Sequence, residues 1–244
     1  MENLRTVFVY GAGISGQGVS QVLADRGDRV ILYNDDEKKL DPAFLEGFTQ
    51  KGGRVVFGED PEPYLKESSL FIISPGIPFT TDVVKKAREL DMEIIGEAEE
   101  ASRLYKGKWV GITGTNGKTT TTTLVGRMLE TLPVPTTVAG NIGFALSKEL
   151  EHMGPESVVA AELSSFQLEG TTTFRPQIAL IVNITPDHFE RHGNMENYIA
   201  AKAKIFANQT PDDVLILNHD NENTRKLAPK AKSRVYFFST EKVL

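Results

Sequence analysis

The sequence predicts an α/β protein with two parallel sheets, and three features predict it. Short apolar runs alternate with amphipathic stretches along nearly the whole chain. The runs are continuous, as strands buried on both faces require. Two of them lead directly into glycine-rich turns, at residues 11–16 and 114–120, and a helix-like segment follows each turn.

Residues 6–10, 30–33, 55–57, 70–74 and 93–95 read as strands of a first sheet. Residues 17–26, 42–51 and 81–90 read as helices that cover it. A second series of strands starts at Trp109 and takes in 109–113, 158–162, 178–183, 214–218 and 235–238. Its helices fall at 118–132, 144–150, 195–208 and 224–227. The acidic stretch 96–108, with Glu97, Glu99 and Glu100, reads as a short helix leading from one series to the other. Two domains are expected, 1–98 and 99–244, the second stopping at Leu244 before its sheet is complete.

Composition narrows the function classes. The 244 residues are 40% hydrophobic and 25% charged, which is a globular balance. A net charge of -6 argues against a nucleic-acid or membrane-surface binder, so an anionic ligand must be held locally. The absence of cysteine excludes disulfides and thiolate metal sites. Met1 to Tyr10 lacks the apolar run of a signal peptide, and no stretch is apolar over the ~18 residues a membrane span needs. A cytoplasmic monomer is expected.

Gly11, Gly13 and Gly16 fit G-x-G-x-x-G directly after a predicted strand. Such glycines permit a tight turn and close backbone approach, and the following helix N-terminus attracts phosphate. Asn34, Asp35 and Asp36 follow the second strand, where a Rossmann-like domain places its ribose-binding acid. Three uses remain open: dinucleotide binding, binding of another nucleotide, or a purely structural turn. The run 74–78, Ser-Pro-Gly-Ile-Pro, belongs at the same sheet edge, as a rigid turn or as a second wall of a nucleotide pocket.

The second turn is more specific. Gly114, Thr115, Asn116, Gly117, Lys118, Thr119 and Thr120 lie between strand and helix, as in P-loop ATPase-like domains. Loop amides and Lys118 would cradle a triphosphate, and the Thr119 hydroxyl would reach Mg2+. The strict pattern is not met, because Ile112 stands five residues before Gly117 in place of glycine.

Glu162 ends a buried strand run, which suits metal or phosphate chemistry or a structural ion pair. Asn183, Asp187 and His188 end the next run, and His188 is a candidate ligand by position alone. Lys202 lies four residues after Tyr198, three before Ile205 and four before Phe206, which puts it on the apolar face of its helix. Lys204, about 200° further round, would face solvent. An inward lysine loses solvation of its charged form and can react as a neutral amine with carbon dioxide to give an anionic carbamate. The alternative is a lysine that snorkels outward.

With these motifs in place, the chain resembles the Mur ligases. The run 114–120 looks like their signature, shared with folylpolyglutamate synthase. Residues 162–168, Glu-Leu-Ser-Ser-Phe-Gln-Leu, are similar to the branch that adds D-glutamate to UDP-N-acetylmuramoyl-L-alanine. So are residues 74–78, the Gly-Asn-Ile-Gly run 140–143 and the Asn-Ile-Thr-Pro-Asp-His run 183–188.

The resemblance implies an ATP-dependent, amide-forming ligase of peptidoglycan precursor synthesis, acting through an acyl phosphate. It implies that Ile14, Ser15, Asn34, Asp35 and Gly76 serve the UDP end of the substrate, and that Asn141, Ser164, Gln167 and His188 serve its muramoyl-alanine end. Lys118 and the loop would hold ATP. Thr119 and Glu162 would bind Mg2+, with carbamylated Lys202 and His188 at a second ion. The best-known members use a threonine and an arginine after the second strand, where this chain has Asp35 and Asp36. Members also carry a C-terminal domain that this chain is expected to lack, so little or no turnover is expected of it. Two rivals stand beside this reading, an NAD-dependent oxidoreductase and a non-catalytic nucleotide-binding module. A ligase for another amino acid is disfavoured by the 162–168 run.

Overall fold

The structure, a computed structural model, describes residues 5–141, 145–241 and 243. In chain order the first elements are β1 (Thr6–Tyr10), α1 (Ile14–Asp25), β2 (Arg29–Asn34), α2 (Pro42–Gln50), β3 (Arg54–Phe57) and α3 (Glu62–Lys66). There follow β4 (Leu70–Ile73), α4 (Asp82–Glu89), β5 (Ile94–Gly96) and α5 (Glu97–Leu104). The second series is β6 (Lys108–Thr113), α6 (Lys118–Leu129), β7 (Thr136–Gly140), α7 (Leu146–Glu149), β8 (Val158–Glu162) and α8 (Ser165–Glu169). It ends with β9 (Ile178–Ile181), α9 (Phe189–His192), α10 (Met195–Ala203), β10 (Val214–Asn218), α11 (Glu222–Arg225) and β11 (Arg234–Phe238). Short 3-10 turns occupy Lys204–Phe206 and Ala228–Lys230.

The chain forms two compact units. The predicted boundary at 98/99 falls inside α5, and the first unit runs on to Leu104. That unit also takes in α7, which the sequence had assigned to the second domain. The reason is tertiary: Gly18 of α1 has no side chain, so Ala145 packs against it, and the buried Glu97 carboxylate accepts the Ser147 amide at 2.6 Å. Phe144, the expected start of that helix, lies outside the described residues, as do Ile142 and Gly143 of the Gly-Asn-Ile-Gly run.

The first unit is a five-stranded parallel sheet in the order β3-β2-β1-β4-β5. Alternate residues of each strand point to opposite faces. On one face Val7, Val9, Leu32 and Ile72 meet Val19 and Leu23 of α1 and Phe48 of α2. On the other, Phe8, Tyr10, Tyr33 and Phe71 form an aromatic layer against Val83, Val84 and Ala87 of α4. Each such buried side chain contributes about 2 kcal/mol. Caps fix the helix entries, with Asp41 accepting the Ala43 and Phe44 amides and Thr81 the Val84 amide.

The second unit is a six-stranded parallel sheet in the order β11-β10-β9-β6-β8-β7. In both sheets the chain runs out to one side of the first strand and later returns to the other. β1 therefore lies between β2 and β4, and β6 between β8 and β9. These are the switch points where open sheets bind ligands. β7 was not anticipated, and α10 ends five residues earlier than the predicted 195–208 helix. No helix among the described residues is long and apolar enough to cross a membrane.

Candidate functional site

Each unit gathers its candidate residues at the C-terminal edge of its own sheet. In the first, Gly11 sits at φ +107°, and an added Cβ would lie 2.8 Å from Ser74 Oγ. That hydroxyl donates to the Gly11 carbonyl at 2.9 Å, tying the glycine turn after β1 to the 74–78 loop after β4. A Cβ on Gly16 would fall 1.8 Å from the Gly11 oxygen, so α1 closes directly onto the turn. Gly13 is different: the only atom near its Cβ position is the Lys38 amine, at 4.0 Å. No side chain caps α1 at Gly13, and its first-turn amides have no acceptor within the helix. Ile14 is exposed, Ser15 half-buried and Gly76 open to solvent.

The residues after β2 have structural duties. Asn34 accepts the Ala12 amide at 3.1 Å and donates to the Asp36 carbonyl at 2.9 Å, so it holds the glycine turn. Asp35 accepts the hydroxyl of Tyr10, whose pKa is pushed up by burial first and by Asp35 second. Among the described residues the cation beside the Gly13 Cβ position is Lys38, whose loop has no periodicity to single it out in the sequence.

In the second unit the phosphate loop is braced by the segment that follows β9. The Thr115 amide donates to the Asn183 carbonyl at 2.9 Å, and the Asn116 amide to Asn183 Oδ1 at 2.9 Å. These two amides are thus already paired, and the amides available to an anion start with the uncapped first turn of α6, which opens at Gly117 with φ +79°. Lys118 donates to the Thr115 carbonyl at 3.0 Å, while Thr119 and Thr120 are exposed.

Glu162 ends β8 beside Ile112 of β6 and is 1% exposed. One carboxylate oxygen accepts from Asn141 Nδ2 at 3.2 Å, and the other has no hydrogen-bond partner among the described residues. A buried carboxylate oxygen left unpaired is costly unless a cation completes it. The donor set therefore fits a single Mg2+, which takes few protein ligands when phosphate supplies the rest. Among the described residues no three histidine or acidic side chains converge as a metal cage.

Lys202 is 1% exposed and points inward, donating to the Gly114 carbonyl at 2.8 Å and lying 4.6 Å above the Tyr198 ring. The snorkelling alternative is therefore wrong. Burial, then the nearby Lys118 charge, pushes the Lys202 pKa down to about 7. Lys204 corrects another expectation. It is half-buried rather than free in solvent, and its amine donates to the Glu169 and Thr171 carbonyls at 2.6 and 3.0 Å.

His188 adopts a left-handed conformation, φ +52°, with its ring beside Asp187 at 3.5 Å and Glu190 at 3.4 Å. It makes no ion pair with Glu162. Ser164 and Gln167 form the capping box of α8: Ser164 Oγ accepts the Gln167 amide, and Gln167 Oε1 accepts the Ser164 amide. His192, which carried no sequence signal, is the buried one of the four histidines. It meets Ser165 Oγ at 3.0 Å and Glu169 at 3.3 Å, partners more than twenty residues away in sequence.

Comparison with known proteins completes the description. Residues 112–243 match the family described as the Mur ligase middle domain, and residues 5–96 match the MurD-like N-terminal domain of Mur ligases. UDP-N-acetylmuramoylalanine–D-glutamate ligase of Caldanaerobacter subterraneus subsp. tengcongensis is 43% identical over 98% of this chain and 53% of its own length. The protein of the same name from Pelotomaculum thermopropionicum is 42% identical, with the same coverage. This chain spans about half the length of the curated relatives it matches. Among solved structures, a UDP-N-acetylmuramate:L-alanyl-gamma-D-glutamyl-meso-diaminopimelate ligase from Neisseria meningitides superposes with a TM-score of 0.66. It shares 17% identity over 96% of this chain and 78% of that one, a likeness of fold.

Proposed function

This chain belongs to the Mur ligase family, and from that premise we propose that it carries two nucleotide-handling units of an ATP-dependent ligase. The ligase adds D-glutamate to UDP-N-acetylmuramoyl-L-alanine in the cytoplasm, and the chain acts as a monomer. The oxidoreductase reading of the first glycine turn falls with the family. The observation that carries the proposal is the phosphate loop after β6, with buried Glu162 ending the adjacent strand β8 and keeping one oxygen unpaired among the described residues.

In this reading the first unit takes the UDP moiety at Gly11–Gly16 and the 74–78 loop. The second takes ATP. Lys118 and the first-turn amides of α6 hold its phosphates, and Thr119 and Glu162 are the residues that would hold Mg2+. Bound there, Mg2+ would neutralise the crowded phosphate oxygens. The substrate carboxylate takes the γ-phosphoryl group of ATP, and the amine of D-glutamate then displaces phosphate from that acyl phosphate. Lys202, dry and with a lowered pKa, is suited to exist as a carbamate, which would turn a cation beneath the Gly114 carbonyl into an anion. His188 and Asn141 would meet the muramoyl-alanine end.

Calorimetric titration with UDP-N-acetylmuramoyl-L-alanine, with NAD in parallel, tests the proposal. Saturable binding of the UDP compound and none of NAD is expected. Binding of NAD alone would sink it.

A further inference from the structure

Five contacts join the phosphate loop to the segment that follows β9. The loop amides of Thr115 and Asn116 both end on Asn183, on its carbonyl and its Oδ1. Asn183 Nδ2 returns a bond to the Asn116 carbonyl at 3.0 Å, so the carboxamide pairs with both the N–H and the C=O of that residue. The Thr115 hydroxyl accepts the Thr185 amide at 3.0 Å and lies 3.2 Å from the Thr185 carbonyl. It also lies 3.2 Å from the Tyr198 hydroxyl. Backbone approach is close, since a Cβ on Gly114 would stand 3.3 Å from the Asn183 nitrogen and oxygen.

The side-chain chemistry is specific. Only a carboxamide of this length both accepts from the N–H and donates to the C=O of one residue. Aspartate would lose the donor and set a charge against the Asn116 carbonyl. Valine at 115 would keep the volume of threonine and lose every hydroxyl bond, whereas serine would keep them.

The latched segment is short. From Thr185 the chain passes through Pro186, whose ring fixes φ, to Asp187 and His188. Asp187 Oδ1 accepts the His188 amide at 2.9 Å, and His188 holds φ +52°. A shift of the phosphate loop has little slack in which to dissipate before it reaches His188.

We propose that Asn183 and Thr115 are positioning residues that latch the 183–188 segment to the phosphate loop, so that nucleotide binding at the loop orders the segment bearing Asp187 and His188. This rests on the ATP-binding reading of the loop. A ligand can bias the segment only as far as it binds one arrangement better than the other, and the latch is the contact that makes the two arrangements one.

Hydrogen exchange read by mass spectrometry, with and without Mg-ATP, tests the latch on this chain. In the wild type, saturating Mg-ATP slows exchange over both 114–120 and 184–190. Asn183→Asp and Thr115→Val bind Mg-ATP about tenfold more weakly. At saturation they keep protection over 114–120 but lose it over 184–190, and Thr115→Ser restores both. Equal protection of 184–190 in the variants and the wild type overturns the latch, as does wild-type protection confined to 114–120. A wild type that binds no Mg-ATP overturns the phosphate-loop reading itself and the latch with it.

Discussion

The two glycine turns occupy the same place in two similar sheets, yet they are built for different partners. Each follows the first strand of its unit, opens a helix and sits at a switch point. The first is tight because glycine leaves no room for anything else: Gly11 and Gly16 pack against backbone and Ser74, and the turn itself carries no cation. The second is held by side chains from outside, Asn183, Tyr198 and Lys202, and it carries its own lysine. Topology supplies the place, then, and the side chains decide what is bound there. A ligand at the first turn meets backbone amides and whatever cation a neighbouring loop brings. A ligand at the second meets a preset charge.

The largest effect expected from breaking this contrast is steric. Gly16→Ala puts a methyl 1.8 Å from the Gly11 carbonyl, and neither backbone can move without opening the sheet edge. A loss of about 3 kcal/mol is expected in chemical denaturation of the first unit. Gly13→Ala should stay near wild-type stability, because its Cβ position is open, and should instead weaken binding of the UDP compound. Equal stability losses at the two positions would mean that the first turn has no free face for a ligand.

A smaller effect belongs to the second turn and depends on pH. The pKa of Lys202 lies near 7, so the neutral amine is about tenfold more abundant at about pH 8 than at about pH 6. Carbamate formation under a fixed pressure of labelled carbon dioxide, followed by carbon NMR, should rise across that interval and vanish in Lys202→Arg. Stability follows the same titration. The folded pKa is below the unfolded one, so the folded state binds fewer protons between them. The penalty of keeping Lys202 dry therefore grows as pH falls from the ordinary lysine range and is complete below about 7. A carbamate signal indifferent to pH would remove Lys202 from the chemistry.

Much of this was legible in the sequence, for reasons that particular residues show. Continuous apolar runs gave the central strands, and the 198, 202, 205 and 206 spacing put Lys202 on the apolar face of its helix but left an outward-snorkelling amine open, which only the packing around α10 decides. Lys204 was misread because its partners are the Glu169 and Thr171 carbonyls, more than thirty residues earlier. β7 escaped notice because it is the last strand of its sheet and half-exposed, with two threonines and a proline before its apolar residues. The packing of α7 with the first unit was hidden because it depends on Ala145 meeting Gly18, more than a hundred residues earlier, and on Ser147 meeting Glu97, 50 residues earlier. The bracing of the phosphate loop was hidden for the same reason: Asn183 was seen as a strand-end polar residue, and its partner lies 67 positions away.

The smallest effect sharpens the comparison most. If the first turn relies on a borrowed cation, Lys38 is that cation. Its amine stands over Gly13, it is exposed, and it makes no ion pair among the described residues. It follows Asp35, Asp36 and Glu37 in a loop that otherwise repels a diphosphate. One exposed charge pair is worth about 1 kcal/mol, so Lys38→Ala should weaken binding of the UDP compound about fivefold. Affinity of the wild type should also fall with added salt more steeply than that of the variant, because screening acts on the pair that the variant lacks. Identical affinities and salt slopes would return the first turn to a site made of backbone alone, and the contrast between the two turns would then be complete.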